Sequence, residues 1–270
     1  MSIISKIKWL LFNVLAHIPI PLNFYSFIEL ISSSIQGKGW GSSTVNQEVN
    51  ACLSLLERRP KNLIDIGAHH GLYTSEVLRR IPEIECHLFE PSSVNIALLK
   101  ENFLPSRQIT INPFALSNRQ SNAKLYSNTP GSVISSLTKR RLDHFERLES
   151  QGYDWKMDVE ENVDVIRFDQ YWSEKNNVYI DYMKIDVEGH ELEVLEGIGN
   201  LIHNIKLIQF EFGGCNIDTR TFFQDFWYFF LENDFLIYRI TPRGVKLLKF
   251  YTPRDENFMT SNFVAINQRL

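Results

Sequence analysis

The chain has 270 residues, of which 44% are hydrophobic, and its formal net charge is −4. Such a length accommodates a large domain with a full hydrophobic core, and the mild acidity argues against a nucleic-acid binder, which usually presents a basic face. The three cysteines, Cys52, Cys86 and Cys215, lie far apart without the CxxC spacing of zinc sites, so they argue against a disulfide framework and favour a reducing cytoplasm.

Residues 3–35 form an apolar segment with two lysines near its start. Because Pro19 and Pro21 interrupt it, the segment falls short of the roughly 20 apolar residues that span a bilayer. A small-residue cleavage site does not follow, which argues against a signal peptide. Two interpretations remain: a helix docked on the domain, which we favour, and an interfacial helix that rests on a membrane through residues 9–12.

Strand and helix patterns alternate past a Gly/Ser-rich linker at residues 37–43. We therefore predict residues 1–45 as an apolar helical segment with its linker, and residues 46–270 as the main domain. Strands separated by helices imply a parallel sheet, and strands that are apolar throughout fit a sheet covered on both faces. The predicted strands are residues 62–67, 86–90, 109–116, 180–186, 206–212, 235–240 and 262–267, and the predicted helices are residues 47–58, 74–80, 94–102, 191–202 and 220–233.

The interval 117–179 is too long and too irregular for a plain crossover between two strands. Its patterns predict short strands at residues 123–126, 132–137 and 163–168, and a charged, exposed helix at residues 138–150. Binding loops are commonly carried on rigid scaffolds. We therefore expect this insertion to cap the carboxyl edge of the sheet and to form part of an acceptor site.

The stretch LIDIGAHHGLYT, residues 63–74, is a strand that ends in Asp65 and turns through Gly67 and Gly71 into a helix. Its GxxxG spacing differs from the GxGxxG of dinucleotide enzymes. Glycines let a backbone approach a small ligand, and a helix N-terminus attracts a carboxylate. Glu90 ends the next strand, where an acid can accept hydrogen bonds from ribose hydroxyls. A nucleoside with an amino-acid tail and no phosphate, S-adenosylmethionine, satisfies this pattern; the alternative is an ordinary glycine turn.

The stretch YMKIDVEGHELEVLEG, residues 182–197, places two carboxylates and a histidine where another strand ends. In one interpretation Asp186 fixes an acceptor hydroxyl and His190 or Glu188 removes its proton. In another, Asp186 binds a divalent cation together with Glu211 and Asn216.

A third interpretation is structural. Glu188 and Glu191 would stabilise the N-terminus of the following helix, where acids are favoured, and His190 would simply be solvated. For Glu211, at the tip of the strand at residues 206–212, a substrate-facing role and a structural hydrogen bond are both open.

Four stretches, DIGAHHGLYT, HLFEPS, NPFALSN and KIDVEGHELEVLEG, together resemble the FkbM-type S-adenosylmethionine-dependent methyltransferases over about residues 60–215. The resemblance implies an α/β, Rossmann-like class I fold, with helices on both faces of a seven-stranded, mostly parallel sheet whose last strand is antiparallel. It also implies O-methylation of a hydroxyl, often on a glycan or another natural product. His69 departs from the family, which usually has Asn there. The expected cofactor contacts are Asp65, Gly67, Ala68, His69, Gly71, Glu90, Pro91, Ser92, Ala115 and Asp186.

The leading functional hypothesis is a cytoplasmic O-methyltransferase of a saccharide or lipid-linked glycan; in the interfacial interpretation of residues 3–35 it is also peripheral at the inner face of the membrane. Its expected catalytic residues are Asp186, His190 and Glu211, without a metal. The alternatives are a metal-assisted O-methyltransferase of a small natural product and a non-catalytic, methyltransferase-like assembly factor. We expect no nucleic-acid partner, and the aromatic helix at residues 220–233 is compatible with a homodimer contact.

Overall fold

An eight-stranded sheet forms the centre of the protein in a computed structural model that describes residues 3–17, 21–39, 45–145, 155–175 and 179–270. The strands are β1 (Asn62–Ile66), β2 (Glu85–Phe89), β3 (Ile109–Asn112), β4 (Ala115–Leu116), β5 (Ser121–Ser127), β6 (Val159–Ile166), β7 (Ile180–Ile185), β8 (Ile205–Phe212), β9 (Phe235–Thr241), β10 (Gly244–Leu247) and β11 (Ser261–Asn267). The α-helices are α1 (Ile3–Ala16), α2 (Leu22–Ile35), α3 (Val45–Ser54), α4 (Leu72–Arg80), α5 (Ser93–Phe103), α6 (Phe168–Ser173), α7 (Glu191–Ile198), α8 (Cys215–Thr219) and α9 (Phe223–Glu232).

The strand order in the large sheet is β10-β9-β11-β8-β7-β1-β2-β3. The run β3-β2-β1-β7-β8 is parallel throughout, whereas β11 lies antiparallel to both β8 and β9. Six of the seven predicted strands and the first half of the one at residues 109–116 belong to this sheet, and the predicted α/β class with an antiparallel last strand is confirmed. An eighth strand, β10, was missed; it follows β9 through the turn at TPRG, where Gly244 has a φ of +100°.

Two apolar clusters cover the two faces of this sheet, as strands without polar alternation require. In one cluster Ile64 and Met183 pack with residues of α7 and α9 such as Val194 and Phe226. In the other, Leu63, Tyr182 and Leu207 pack with residues of α3, α4 and α5. The parallel strands consequently end together at one edge, and the turns that follow β1, β2, β7 and β8 meet there.

The insertion contains a second, three-stranded sheet of order β4-β6-β5. The single strand predicted at residues 109–116 is wrong: β3 ends at Asn112 and β4 begins in the other sheet, because Pro113 cannot donate to a strand ladder. The predicted strand at residues 163–168 is the end of β6, which stops at Ile166 before α6. At residues 132–137 only a bridge between Ser136 and Tyr126 forms in place of the predicted strand.

The charged helix predicted at residues 138–150 is also not what the described part of this stretch shows. Residues 138–145 form turns and irregular chain, and residues 146–150 lie outside the described residues. The side chain of Leu142 is buried, and that of Arg140 is only 9% exposed. An exposed helix would present these side chains to water, so inward-facing contacts override the local helical pattern.

The N-terminal helices α1 and α2 keep their large apolar side chains on the surface, so the docked helix that we favoured is wrong for the residues described. The chain after α2 does contact the domain: Lys38 Nζ donates to the carbonyl of Arg254 at 2.7 Å, and Gly37 packs against the carbonyl of Ile240. None of the described helices is long and apolar enough to cross a membrane. Of the predicted linker, residues 40–43 lie outside the described residues.

Candidate active site

The turn after β1 is held against the ends of two neighbouring strands. Gly67 has a φ of +79°, and its N–H donates to the carbonyl of Phe89 at 2.9 Å. A Cβ at Gly67 would lie 1.8 Å from the carbonyl oxygen of Asp186, so another residue does not fit without moving the end of β7. Ala68 N–H donates to the same Phe89 carbonyl at 3.1 Å. This turn therefore has a fixed position at the carboxyl edge.

Gly71 needs its glycine for a different reason from the one predicted. Its φ is +88°, and a Cβ there would lie 2.2 Å from the ring of Phe103. Gly71 precedes α4 and is not among the residues that line the two cavities at this edge. The requirement for glycine at this position comes from helix packing.

Asp65 lies beneath the site and does not line either cavity. Its side chain is fully buried, and Thr74 Oγ1 donates to its Oδ2 at 2.6 Å. Lys184 Nζ lies 3.6 Å from Asp65 Oδ1 and 3.2 Å from Asp186 Oδ2. Burial alone would lower the pKa of Lys184, but the carboxylates of Asp186, Asp65 and Glu48 outweigh burial and raise it. Lys184 is therefore a cation that holds Asp186.

Glu90 is buried at the end of β2 and faces the smaller cavity. Its Oε2 accepts the N–H of His69 at 2.8 Å, and its Oε1 accepts the N–H of Ser92 at 2.9 Å. Burial raises the pKa of Glu90, although these hydrogen bonds oppose the change. Oε1 also accepts the side-chain N–H of Asn95 at 3.4 Å, so the second lone pair of Oε2 is the one that Glu90 retains for a hydroxyl donor. Ser92 contacts Glu90 through its N–H and does not line the smaller cavity. Pro91 does line it.

Two adjoining cavities open at this edge. The smaller, of about 70 Å³, has apolar walls that include Phe89, Phe114, Ala115 and Leu125. The larger, of about 790 Å³, contains Lys184 and Glu211. The two share a wall formed by Gly67, His69, Val133, Asp186 and Glu188.

A hydrogen bond from His69 connects the turn after β1 to the insertion. It has a φ of +50°, and its Nε2 donates to the carbonyl of Gly131 at 2.9 Å. Its Nδ1 meets the Nδ1 of His70. Burial, and to a smaller extent His69, lower the pKa of His70.

Three carboxylates converge where the cavities meet. Asp186, Glu188 and Glu211 each have an oxygen within 4.8 Å of the others. Burial raises the pKa of Glu188 to about 7; Arg140, whose Nη1 lies 2.5 Å from Glu188 Oε2, opposes this change, and Asp186 adds to it. Burial and the charges of Asp186 and Glu188 raise the pKa of Glu211 well above its usual range. At neutral pH the cluster therefore retains protons.

Glu188 does more than stabilise a helix end, since it pairs with Arg140 inside the larger cavity. The helix-terminal role belongs to Glu191, whose carboxylate accepts the N–H groups of Val187 and Gly189 at 3.0 Å. The third interpretation is thus right for Glu191 and wrong for Glu188.

His190 is not solvated. It lies in the wall of the smaller cavity, with Nε2 2.9 Å from Ser117 Oγ and Nδ1 3.6 Å from Glu193 Oε2. Burial lowers the pKa of His190. Both ring nitrogens have neighbours, and the ring does not line the larger cavity; its role as proton acceptor stays a prediction, as does that of Glu188.

The predicted metal-ligand set does not assemble among the described residues. Asn216 Oδ1 accepts the N–H of Gly213 at 2.9 Å and does not line the larger cavity. Glu188 takes its place beside Asp186 and Glu211, and this all-oxygen cluster is of the kind that hard divalent cations prefer.

A sequence model of the methyltransferase FkbM domain matches residues 65–237. The chain belongs to the FkbM methyltransferase family. Membership confirms the predicted family and, for the matched domain, the predicted enzyme class and its cofactor, S-adenosylmethionine. It leaves the acceptor, the homodimer and the cellular location as predictions.

Two curated relatives are similar to this FkbM family member. The 2-O-methyltransferase NoeI of Sinorhizobium fredii (strain NBRC 101917 / NGR234) is 26% identical over 165 residues, which cover 59% of this chain and 66% of the relative. Methyltransferase sdnD of Sordaria araneosa is 25% identical over 187 residues, 60% of this chain and 71% of the relative. The crystal structure of methyltransferase FkbM from Methylobacillus flagellatus KT superposes with a TM-score of 0.45 at 16% identity, covering 78% of this chain and 45% of that one.

Several site residues of this family member were missed in the sequence. Glu48 lines the larger cavity from α3 and accepts a hydrogen bond from Gln209 Nε2 at 2.6 Å. Its spacing from the apolar Ala51 and Cys52 places it on the buried face of a helix, which is a signal that it has a role there. Arg140 and Asn95 gave no such signal, because neither lies in a recognisable motif.

Proposed function

We propose that the chain transfers a methyl group from S-adenosylmethionine to a hydroxyl of a saccharide acceptor, free or lipid-linked. The observation that carries this proposal is the cluster of Asp186, Glu188 and Glu211 at the junction of the two cavities. Carboxylates accept hydrogen bonds from hydroxyls, and a proton acceptor with a pKa of about 7 suits catalysis near neutral pH.

The residues at the smaller cavity fit the nucleoside part of S-adenosylmethionine. Glu90 Oε2 retains a lone pair for a ribose hydroxyl, and Phe114 and Leu116 provide apolar walls for a base. The buried Oδ1 of Asn95 has no hydrogen-bond partner among the described residues, which leaves an acceptor for a ligand donor. When bound, this cofactor supplies an electrophilic methyl group.

The chain's own residues would align and deprotonate the acceptor. Asp186, held by Lys184, orients the hydroxyl, and Glu188 takes its proton on a carboxylate oxygen. Glu211, kept protonated by its neighbours, donates a hydrogen bond to a second hydroxyl. Phe145 and Trp155 line the larger cavity with rings 5.0 Å apart, which offers an apolar wall for the C–H face of a sugar. The name of the 2-O-methyltransferase relative supports oxygen as the methylated atom.

The test of the proposal is incubation of the chain with methyl-labelled S-adenosylmethionine and a panel of saccharides and lipid-linked saccharides. We expect label in a base-stable ether on at least one acceptor. Label found only on nitrogen or on a carboxyl group would contradict O-methylation. Tight cofactor binding without transfer to any acceptor would favour the non-catalytic alternative.

Glu90→Gln is expected to weaken binding of S-adenosylhomocysteine about tenfold or more, because a charged acceptor for a ribose hydroxyl is replaced by a neutral amide. Isothermal titration calorimetry measures this affinity. The matched control is Glu85→Gln on the same strand, whose side chain is 64% exposed and far from the cavity. Equal affinity in both variants would exclude Glu90 as a cofactor ligand.

The rate is expected to rise with pH through about 7 and to level off above it, because Glu188 accepts a proton only when ionised and its pKa is raised to about 7. Initial rates at subsaturating acceptor between pH 5 and 9 measure the profile. Glu188→Gln should lose both the inflection and most of the rate. An unchanged profile in this variant would exclude Glu188 as the base.

The same assay distinguishes the metal-free mechanism from the metal-assisted alternative. The all-oxygen cluster is also consistent with that alternative. Activity lost on adding a chelator and restored by Mg²⁺ would assign Asp186, Glu188 and Glu211 to a cation. Activity that survives the chelator would support the metal-free mechanism.

A further inference from the structure

The pair of N-terminal helices α1 and α2 presents an unusually apolar surface. More than half of the exposed large apolar side chains in the described part of the chain belong to these two helices. Trp9 is 63% exposed and Phe12 is 71% exposed, and α2 has no buried residue. A contiguous apolar surface of this kind marks an interaction site.

Some polar side chains of each helix lie along one side of it. On α1 and the turn after it, Lys6, Asn13 and His17 recur at intervals that align them along one side. On α2, Ser26, Glu29 and Ser33 do the same. On α1, Lys8 lies opposite Lys6, and apolar side chains are spread around most of the remaining circumference, which is wider than the single stripe that a protein groove covers. A bilayer interface covers a wide apolar arc and leaves a polar strip in water.

Length and charge also favour a bilayer surface. Each helix has 14 residues and is about 21 Å long, whereas the hydrocarbon core of a bilayer is about 30 Å thick, so these helices would lie along the membrane. Among the described residues of the pair, the ordinarily charged side chains are Lys6, Lys8 and Glu29. This excess of positive charge favours anionic headgroups, and the tryptophan at position 9 suits the interface.

The turn that follows α2 lies at the mouth of the larger cavity. A Cβ at Gly39 would lie 2.6 Å from Met259 Cε, and both residues line that cavity. Leu72, Val133 and Met259 line it as well and are 57%, 62% and 40% exposed. The apolar rim and the apolar helices therefore adjoin one another.

We infer that α1 and α2 dock on the surface of a bilayer that contains anionic lipids and turn the mouth of the larger cavity towards it. The membrane contact is independent of the reaction. That the acceptor is a saccharide attached to a lipid of that bilayer rests on the proposed function.

Flotation of the full chain with vesicles tests the contact. We expect the protein to float with vesicles of phosphatidylcholine and phosphatidylglycerol, and less with phosphatidylcholine alone. Leu11→Asp should lower the bound fraction about tenfold or more. Leu231→Asp on α9 is the matched control, because Leu11 and Leu231 are 54% and 53% exposed and both lie on helices. Binding of S-adenosylhomocysteine checks that each variant is folded.

A full chain that stays in the soluble fraction with both kinds of vesicle would overturn the inference. So would equal losses in Leu11→Asp and Leu231→Asp. A dimer in sedimentation equilibrium that Leu11→Asp dissociates, without vesicle binding, would assign the surface to a second copy of the chain.

Orientation is tested with a fluorescent label and nitroxide lipids. Cys52, Cys86 and Cys215 are buried, so a label reacts selectively with an introduced exposed cysteine. Nitroxide lipids should quench a label on Met259→Cys and spare one on Leu231→Cys. Leu231 lies at the edge of the sheet opposite the cavities. Helix α9 ends shortly before the start of β9, and β9 runs parallel to β8, so its start lies away from the carboxyl edge. Equal quenching at both sites would refute the orientation and leave the membrane contact intact.

Discussion

Asp186→Asn is expected to lower the rate of methyl transfer about 100-fold or more while leaving the affinity for S-adenosylhomocysteine nearly unchanged. Its carboxylate lies at the junction of the two cavities, 3.2 Å from Lys184 Nζ. A neutral amide in its place weakens that ion pair and misplaces the acceptor hydroxyl, and small errors of alignment are costly in displacement reactions. S-adenosylhomocysteine is the appropriate probe because it lacks the sulfonium charge that a carboxylate attracts.

The control for this variant lies on the same strand. Asp181 stands at the start of β7, where it accepts the N–H of Lys61 at 2.9 Å, away from both cavities. Asp181→Asn should retain the rate of the folded enzyme. If Asp186→Asn kept more than about half of the activity under saturating cofactor, Asp186 would be excluded from alignment of the acceptor.

Gly67→Ala is expected to destabilise the fold by about 3 kcal/mol and to weaken cofactor binding, since it combines a left-handed backbone with overpacking. The added methyl group would meet the carbonyl of Asp186. Denaturant titration measures the free energy of unfolding, and calorimetry measures the affinity for S-adenosylhomocysteine.

Gly244→Ala separates the two contributions. Gly244 has a φ of +100° with no atom within 4 Å of a built Cβ, so this variant suffers only the backbone strain, about 1 kcal/mol. Equal destabilisation in the two variants would show that contact with the end of β7 is unimportant.

The sequence predicts best those features that are determined by neighbouring residues. The turn after β1, the acid that ends β2 and the strand-to-helix join around Asp186 are each contained in a short stretch, and the structure brings them to one edge. Glu211 is brought to the same place because parallel strands end together. Strand order and the two covered faces follow from the alternation of apolar strands and helices.

The features that the sequence does not predict depend on distant partners. Arg140 pairs with Glu188, 48 positions away, so the local charge pattern indicated an exposed helix where the chain turns inward. For His190 the sequence left open a catalytic base and a solvated side chain, because its burial depends on Ser117, 73 positions away. The docked N-terminal helix was favoured because apolar residues are normally buried within their own domain, and the described helices leave them exposed.

The backbone contact between Gly67 and the end of β7 links the two halves of the site mechanically. Gly67 lies between the carbonyl of Phe89, which accepts its N–H, and that of Asp186, which leaves no room for a side chain. A displacement of the turn after β1 would therefore be transmitted directly to Asp186, the residue that aligns the acceptor in the proposed function. Under the proposed function, changes of acceptor range would therefore be expected in the insertion, at residues such as Arg140 and Trp155, because a change at the sheet edge would move both the turn after β1 and Asp186.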